Sequence, residues 1–390
     1  MPMNPRYRDL AALAQAAIDG RRDVSEFTES DVDLARLYAY AYRTQTVGAF
    51  HATRLALDPF SDVPAVQTAQ RRLRDLQALA MRPVPADLRA AAPTLAWYHA
   101  WSDEVVAALT GPDAPEAAHE IRDRFQRVID AIRASDGIVP MRDDDLPEQA
   151  SYKVPGIEVV IVPLVYGDHI SWNSAFVTAA SGGATTHRHA LQVEIHLGFE
   201  GVHGRTLLDG RAATVTAPYA MPIPPMLDHG FDNLSGHDHF VPFVFGSRTL
   251  DGWGVFFDVE PRPSPTHDWP ETPLESSGMN RSVHLAPALA AIRQAPAGER
   301  RVLIDAERTA RPATGGLELA ALHVGEEAMS LSFDEFHILS VREGRLNLAM
   351  AGVSVELGPR DHVGIPAGLR ATLRALDGAC LVLEASLHTD

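Results

Sequence analysis

Four residues of the sequence combine types and spacing that suit metal coordination. His187 and His189 are separated by one residue, Glu194 follows the second histidine by five positions, and His229 lies after a proline-rich turn. Alternate side chains of a strand lie on the same face, so His187 and His189 share a face. The odd spacing to Glu194 requires a bend or a bulge if all four are to converge. Three neutral imidazoles and one carboxylate suit a divalent first-row metal such as iron, manganese, nickel, copper or zinc.

Further polar residues lie close to these four in the sequence. His196 shares a strand face with Glu194, which predicts a proton shuttle or an orienting group beside the metal, and Tyr219 is the second candidate base. The alternative for His196 is a hydrogen-bonded histidine that only fills the interior. The candidate substrate-binding residues are Trp172, His237, His239 and Arg248. His237 and His239 are equally typical of a solvated turn, and Arg248 of a surface ion pair.

The elements that must position these residues change along the chain. Up to about residue 137 the apolar residues recur at helical spacing, and afterwards short runs rich in β-branched and aromatic residues alternate with Gly and Pro. We therefore predict an α+β fold, in which a helical domain (1–137) precedes two antiparallel β units (138–262 and 300–390). A linker with a helix (263–299) separates the two β units.

The spacing of the four candidate ligands resembles the motifs of the cupin superfamily. The first cupin motif, G-x5-H-x-H-x3,4-E-x6-G, is matched by His187, His189, Glu194 and Gly201, although Ser181 stands at its first glycine position. The resemblance implies a small antiparallel, jelly-roll-like barrel that encloses the metal.

The second cupin motif, G-x5-P-x-G-x2-H-x3-N, is matched by Pro224, His229 and Asn233. Two of its glycine positions differ, because Pro218 and Met226 stand there. This sequence thus has a metal-binding residue at all four ligand positions of the two motifs, but it differs from the motifs at several glycine positions.

The C-terminal β unit resembles a second cupin whose ligands are lost. Gly344 aligns with Gly201, and the sequence IPAG at 365–368 retains the proline and glycine of the second motif. The residues at the four ligand positions are then Ser330, Ser332, His337 and Ala371. Such a set cannot hold a first-row metal well, so the chain resembles a bicupin with one metal-binding and one degenerate barrel. We expect one metal per chain.

Composition limits the classes of function. The net charge of −17 opposes binding to nucleic acid or to an anionic membrane, and the lone Cys380 excludes a disulfide framework. We expect a cytoplasmic protein that acts on a small molecule and forms a homodimer. The helical domain is expected to serve as a lid or a dimer surface packed on the metal-binding barrel.

The ligand set leaves three functions open. The leading hypothesis is a dioxygenase, with Fe²⁺ as the favoured metal, acting on an organic substrate that chelates it. The second is a redox-neutral isomerase or lyase of a small hydroxy acid, keto acid or sugar derivative, with His196 or Tyr219 as base. The third is a cupin that binds a metabolite without catalysis.

Overall fold

The computed structural model describes most of the chain beyond residue 115 and part of the chain before it. The described residues are 2–42, 61–64, 66–68, 116–143, 152–153, 160–167, 169–178, 184–250, 258–262, 269–271, 282–310 and 314–388, with single residues and pairs between 70 and 107.

Helices dominate the described N-terminal residues, as predicted. Helix α1 (Pro5–Ile18) begins with Asn4 as its N-cap, whose side chain accepts a hydrogen bond from the backbone NH of Arg6. Residues 29–42 are helical, and α2 (Glu116–Ala134) follows. Two shorter helices follow: α3 (Ala286–Arg293) lies between the β units, and α4 (Ala306–Thr309) lies within the second unit.

The rest of the described chain is built from antiparallel strands. The strands of the first half, with two short flanking strands, are β1 (Met141–Arg142), β2 (Tyr152–Lys153), β3 (Val160–Tyr166), β4 (Ile170–Val177), β5 (Ala184–Arg188), β6 (Val193–Gly198), β7 (His203–Leu208), β8 (Arg211–Thr216), β9 (Tyr219–Ile223), β10 (His229–Asn233), β11 (His239–Gly246), β12 (Glu260–Pro261) and β13 (Val283–His284). The strands of the second half are β14 (Arg300–Ile304), β15 (Gly316–Gly325), β16 (Met329–Ser332), β17 (His337–Glu343), β18 (Leu346–Met350), β19 (Val353–Leu357), β20 (Asp361–Ile365), β21 (Arg370–Ala375) and β22 (Ala379–His388).

Each half is a sandwich of two sheets with the same strand order. In the first half, the order β9-β6-β11-β4-β3 forms the centre of one sheet and β5-β10-β7-β8 forms the other. In the second half, β20-β17-β22-β15-β14 and β16-β21-β18-β19 repeat these orders strand for strand. The strand order thus supports two related β units, but in the described residues the sheets form open sandwiches rather than the closed barrels we expected.

Two short strands cross between the halves. Strand β1 pairs with β20, so residues that we assigned to the first β unit extend a sheet of the second. Strand β13 pairs with β9, so part of the predicted linker completes a sheet of the first. The boundaries expected at 138 and 263 therefore do not coincide with the limits of the sheets.

The halves pack through the outer faces of their larger sheets. The Trp172 ring lies 5.2 Å from that of His362, between centroids, and both side chains are fully buried. Close to Gly246, the side chains of Leu317 and Leu387 leave no room for a further methyl group. The outer face of each sheet is therefore apolar, and burial of this surface joins the halves.

Two contacts join the described N-terminal residues to the second half. The Arg36 guanidinium donates to the backbone oxygen of Ala367, and the Tyr40 ring stacks on Phe336 at 5.5 Å. Both partners belong to the second half. The contacts of these described residues thus lie on the second half, and a lid on the metal-binding half stays a prediction for the helical domain.

Candidate metal centre

The four predicted ligands converge because three segments of the first half meet at one end of the sandwich. His187 on β5 pairs directly with His229 on β10. His189 lies one residue beyond β5, and Glu194 is the second residue of β6. Residues 189–192 form a turn that carries the chain from one sheet to the other. This turn is the bend that the odd spacing required.

The ligand atoms lie close enough to share one cation. One nitrogen of each imidazole and one carboxylate oxygen all lie within 4.8 Å of one another. The Nε2 atoms of His189 and His229 lie 3.3 and 3.0 Å from Oε2 of Glu194. Among the residues that the structure describes, no other cluster of three or more His, Cys, Asp or Glu side chains has this geometry.

Backbone carbonyls fix the orientation of two of the imidazoles. The Nδ1 atom of His189 lies 2.5 Å from the backbone oxygen of Asp258, and Nδ1 of His229 lies 2.9 Å from that of Leu227. A carbonyl oxygen only accepts, so each Nδ1 carries the hydrogen. Each Nε2 therefore keeps its lone pair for a metal ion.

The arrangement is incomplete without a cation. Three buried ligand atoms have no partner in hydrogen-bonding geometry among the described residues: Nε2 of His189, Nε2 of His229 and Oε2 of Glu194. Burial alone would raise the pKa of Glu194, but positive charge and hydrogen-bond donation at His229 and His189 hold this pKa well below its usual value, and a bound cation would take the place of those protons. An anionic carboxylate amid buried lone pairs fits a divalent metal, because unsatisfied buried polar atoms are costly.

Two features of the turns beside the ligands were not anticipated from the sequence. The Asp258 carboxylate accepts from the backbone NH groups of Ala190 and Leu191, at 3.1 and 2.6 Å, and so holds the turn between His189 and Glu194. Asp258 lies far from this turn along the chain, and no local pattern marks it. Met226 has a φ of 67° and donates its backbone NH to the oxygen of His189 at 2.7 Å. This left-handed conformation explains why the motif has glycine at that position.

His196 and Tyr219 form a polar pair on the interior face of the same sheet. Glu194 pairs with Ile223 across β6 and β9, and His196 pairs with Met221, so all four side chains share one face. The Tyr219 hydroxyl lies 3.3 Å from Nδ1 of His196. Burial lowers the pKa of His196 to about 4 and raises that of Tyr219 well above 10.0. Both groups are therefore uncharged at neutral pH.

Aromatic rings line the interior between this pair and the ligands. The Phe245 ring lies 5.1 Å from that of His189, and the Phe231 ring lies 5.2 Å from that of His196. Phe243 packs edge-on against Phe245 at 4.9 Å. The interior is therefore apolar apart from the ligands and a few polar groups. One of these groups is Asn173, which lies on the same sheet face as Phe243 and His196. The sequence had not marked Asn173.

Two of the predicted substrate-binding residues lie away from this interior. Trp172 pairs with Val244 and so faces the second half, on the opposite side of the sheet from Glu194. Arg248 follows β11, donates its backbone NH to Thr314 and lines a cleft of about 450 Å³ beside Asp334 and Ala367 of the second half. Trp172 and Arg248 thus lie away from the interior that holds the candidate ligands, because the sequence could not show which face of the sheet each would lie on, and their substrate-binding roles stay predictions.

His237 and His239 also lie outside the ligand cluster. His237 is an exposed turn residue whose backbone oxygen accepts from the Asn233 side chain at 2.7 Å. His239, at the start of β11, lines a cleft between the two halves. The structure brings neither imidazole against a predicted metal ligand, so a pocket-rim role is not supported, and the turn alternative fits His237.

The second half replaces the metal centre with an internal ion pair. His337 Nδ1 lies 2.8 Å from the buried Glu384 carboxylate, and the Arg300 guanidinium donates to the same carboxylate at 3.1 Å. Ala371 faces the interior, as predicted. Ser330 and Ser332 are exposed, whereas Met329 and Leu331 pack toward the core. Our assignment of the two serines to inward positions was therefore wrong, although the described residues of this half hold no ligand cluster.

Comparisons with known proteins find similarity only in structure. No family model matches the sequence, and no curated protein matches it. A salicylate 1,2-dioxygenase from Pseudaminobacter salicylatoxidans is 12% identical, with a TM-score of 0.46 over 56% of this chain and 71% of that one. A mutant of the same enzyme in complex with gentisate is 13% identical, with a TM-score of 0.45 over 56% and 69% of the two chains. A cupin 2 conserved barrel domain protein from Leptotrichia buccalis is 10% identical, with a TM-score of 0.39 over 60% and 91%.

At these identities the comparisons carry no information about activity. The resemblance to the cupin superfamily rests instead on three observations: the spacing of the motifs, the convergence of all four candidate ligands and the strand order shared by the two halves. None of the described helices is long and apolar enough to cross a lipid bilayer. In its motif spacing and in the convergence of the four candidate ligands, the chain resembles the cupin superfamily.

Proposed function

We propose that this protein is a metal-dependent enzyme with one divalent transition metal per chain, and that the metal is iron(II) rather than manganese, nickel, copper or zinc. His187, His189, Glu194 and His229 would hold it. The observation that carries the proposal is the convergence of three buried atoms without hydrogen-bond partners, Nε2 of His189, Nε2 of His229 and Oε2 of Glu194. A divalent cation would satisfy two lone pairs and a carboxylate at one point.

The reaction that we propose is dioxygenation of a small organic substrate that chelates the metal. A metal held by four protein ligands keeps one or two coordination positions open, and it supplies Lewis acidity and redox chemistry when bound. The rings of Phe231, Phe243 and Phe245 make the adjacent interior apolar, which suits the carbon skeleton of an organic substrate and excludes water.

His196 and Tyr219 would position and exchange a proton in this interior. The Tyr219 hydroxyl retains its proton because burial raises its pKa well above 10.0, so it can donate to Nδ1 of the neutral His196. Nε2 of His196 would then carry a hydrogen and donate to a substrate oxygen. Because Phe231 packs beside the His196 ring, the imidazole has little freedom to turn.

The same pair favours a second candidate function. In the other tautomer Nδ1 of His196 donates to the Tyr219 oxygen, and Nε2 can then take a proton from a carbon next to a carbonyl and return it elsewhere. A redox-neutral isomerase or lyase acting on a small hydroxy or keto acid therefore remains the alternative, and its reaction would consume no dioxygen.

Oxygen uptake separates the two reactions. The protein would be loaded separately with Fe²⁺, Mn²⁺, Ni²⁺ and Zn²⁺ and tested with aromatic and aliphatic compounds that carry two adjacent oxygen donors. We expect uptake with one redox-active metal and with a chelating substrate, and none in the matched His187→Ala protein. Conversion of a substrate without oxygen uptake would favour the isomerase or lyase, and tight binding without conversion would favour a non-catalytic cupin.

A further inference from the structure

A short segment covers one edge of the sheet that carries candidate metal ligands. Residues 258–262, which we call the clasp, lie beside β5, because β12 is the edge strand of that sheet. Within the clasp, Pro261 pairs with His187, and the backbone NH of Arg262 donates to the backbone oxygen of Thr186 at 2.8 Å. The clasp therefore lies between the ligand strand β5 and the edge of the described sheet.

Backbone contacts hold the clasp only weakly. Strand β12 comprises only Glu260 and Pro261, and both residues are exposed. Pro261 has no NH group, so it donates no hydrogen bond to the strand beside His187. Short, exposed edge elements with few hydrogen bonds open at a lower free energy than the rest of a fold. Side-chain contacts are therefore needed to keep the clasp in place.

Two ion pairs tie the clasp to segments that carry ligands. The Glu260 carboxylate accepts from Nε of Arg188 at 2.8 Å, and Arg188 lies between two candidate ligands in the sequence. Nε of Arg262 lies 3.5 Å from Oδ1 of Asp228, the residue that precedes His229. The side chains of both pairs are partly exposed, so dissolved salt weakens the attraction between them.

The clasp also fixes one candidate ligand directly. The backbone oxygen of Asp258 lies 2.5 Å from Nδ1 of His189, and the Asp258 carboxylate accepts from the backbone NH groups of Ala190 and Leu191. Detachment of the clasp would remove the acceptor that orients this imidazole and would free the turn that follows it. The ligand is thus oriented only while the clasp is attached.

The clasp lies beside the most accessible of the four candidate ligands. The other three, His189, Glu194 and His229, are at most 4% exposed. His187 is half-buried and pairs with Pro261 of the clasp. The side of the cluster beside the clasp is therefore the one from which an ion can leave with the least rearrangement of the two sheets.

We propose that the clasp closes the candidate metal centre, so that a metal ion enters or leaves only when residues 258–262 detach from β5. The ion pairs of Glu260 with Arg188 and of Arg262 with Asp228 set how often this happens. This inference rests on the metal centre proposed above, and it concerns the rate at which the metal is exchanged rather than the reaction.

The rate of metal release from the full-length protein tests the proposal. The protein would be loaded with Zn²⁺ and mixed with an excess of a chromogenic chelator. Glu260→Gln should release Zn²⁺ roughly two- to fivefold faster, because it weakens a partly exposed ion pair with Arg188. Asp258→Ala should release it about tenfold faster or more, because a charged acceptor of two NH groups is lost. Glu343→Gln, at a carboxylate of similar exposure paired with Arg293 in the second half, is the matched control and should release Zn²⁺ at the wild-type rate.

Two further measurements separate opening of the clasp from a general loss of stability. High salt should accelerate release more in the wild type than in Glu260→Gln, because the variant has already lost the charge that salt screens. Hydrogen exchange of the peptide that carries Arg262, whose NH is bonded to Thr186, should speed up in Glu260→Gln by the same factor as the release of Zn²⁺.

The outcomes distinguish the clasp from the metal centre itself. A wild-type protein that binds no Zn²⁺ would overturn both. A protein that binds Zn²⁺ but releases it at the same rate in Glu260→Gln and Asp258→Ala would overturn the clasp alone, as would faster exchange of the Arg262 peptide without faster release. If Asp258→Ala does not fold, as judged by circular dichroism, Glu260→Gln decides the matter, because Glu260 is exposed.

Discussion

At the level of single residues, the candidate metal centre depends on atoms that are not ligands. The backbone oxygens of Asp258 and Leu227 select the tautomers of His189 and His229, and the Asp258 carboxylate holds the turn that follows His189. The ligands are thus oriented before any metal binds, which reduces the entropy lost on binding.

Removal of a ligand should separate metal binding from catalysis. His187→Ala and His229→Ala should lower metal affinity by more than the roughly 10- to 100-fold that the loss of an outer hydrogen-bond partner causes. His196→Ala should retain the metal, because this imidazole lies beside the ligands and not among them. If it transfers a proton, its turnover should fall by roughly 10²- to 10⁴-fold. Mass spectrometry for metal, followed by turnover assays, measures both; full metal occupancy in the His187 and His229 variants would contradict the metal centre.

Met226→Gly should stabilise the protein. Met226 is 53% exposed and has a φ of 67°, so the variant loses little burial while it removes the strain of a left-handed side-chain-bearing residue. We expect the free energy of unfolding to rise by about 0.5–1 kcal/mol, measured by urea denaturation. Leu234→Gly, at another exposed residue without positive φ, is the control and should not stabilise; a less stable Met226→Gly protein would refute the strain argument.

At the level of elements, corresponding strands of the two halves carry different polar side chains into the interior. Strand β6 carries Glu194 toward the metal centre, whereas β17 carries His337 toward Glu384. In the second half the Arg300 guanidinium, on β14, provides the positive charge beside a buried carboxylate. The Arg300 side chain thus provides the positive charge in the second half that a metal ion would provide in the first half.

The second half should hold no metal. His337→Ala should leave the metal content at one equivalent per chain, because its Nδ1 is already paired with Glu384 and no ligand cluster of described residues surrounds it. Elemental analysis of the purified variant measures this. Two equivalents in the wild type, with one lost in His337→Ala, would show that the second half binds metal.

The Glu384 ion pair should make stability depend on pH. Burial would raise the pKa of Glu384, but His337 and Arg300 lower it below its usual value of 4.5. A carboxyl group with a lowered folded-state pKa stabilises the fold above its unfolded-state pKa, and this contribution is lost as the pH falls through the folded-state value. Glu384→Gln should therefore lose about 2 kcal/mol of unfolding free energy at pH 7 and less at pH 3.

Denaturant unfolding at several pH values tests this dependence. Glu356→Gln, at an exposed carboxylate of the same half, is the matched control and should change stability little at either pH. An equal loss in Glu384→Gln at pH 7 and at pH 3 would mean that the ion pair does not contribute.

For the whole molecule, one buried ring joins the three parts of the fold. Phe336 stacks on Tyr40 of the helical segment, and it packs against Gly167 of the first half and Gly364 of the second. The two glycines admit the ring because a Cβ at either would collide with it. The helical domain is thus part of the core beside the second half, and a homodimer remains a prediction for light scattering to test.

Phe336→Ala should destabilise the whole chain. The lost ring leaves a cavity where three parts meet, and such truncations cost about 3–5 kcal/mol. Thermal unfolding should show a large fall in the midpoint, while Leu234→Ala, at an exposed residue, should leave it nearly unchanged. A small change in Phe336→Ala would mean that the helical domain is held by other contacts.

The sequence by itself determined the ligand set and the class of fold. Two local motifs carry the four candidate ligands; strand periodicity places His187 and His189 on one face, and the odd spacing to Glu194 indicates a bend. The alternation of short apolar runs and turns likewise predicted two antiparallel units. These features are local, so neighbouring residues are sufficient to specify them.

The tertiary structure alone decided what lies around the ligands. Trp172 and Glu194 lie on opposite faces of one sheet, and only the register across β6, β11 and β4 shows this. Asp258 reaches His189 across 69 positions, and β1 joins a sheet of the other half. Such contacts arise because burial of apolar surface brings distant segments together. Apolar periodicity marks the face that is buried, but burial is non-directional, so the sequence does not show which distant segment that face packs against.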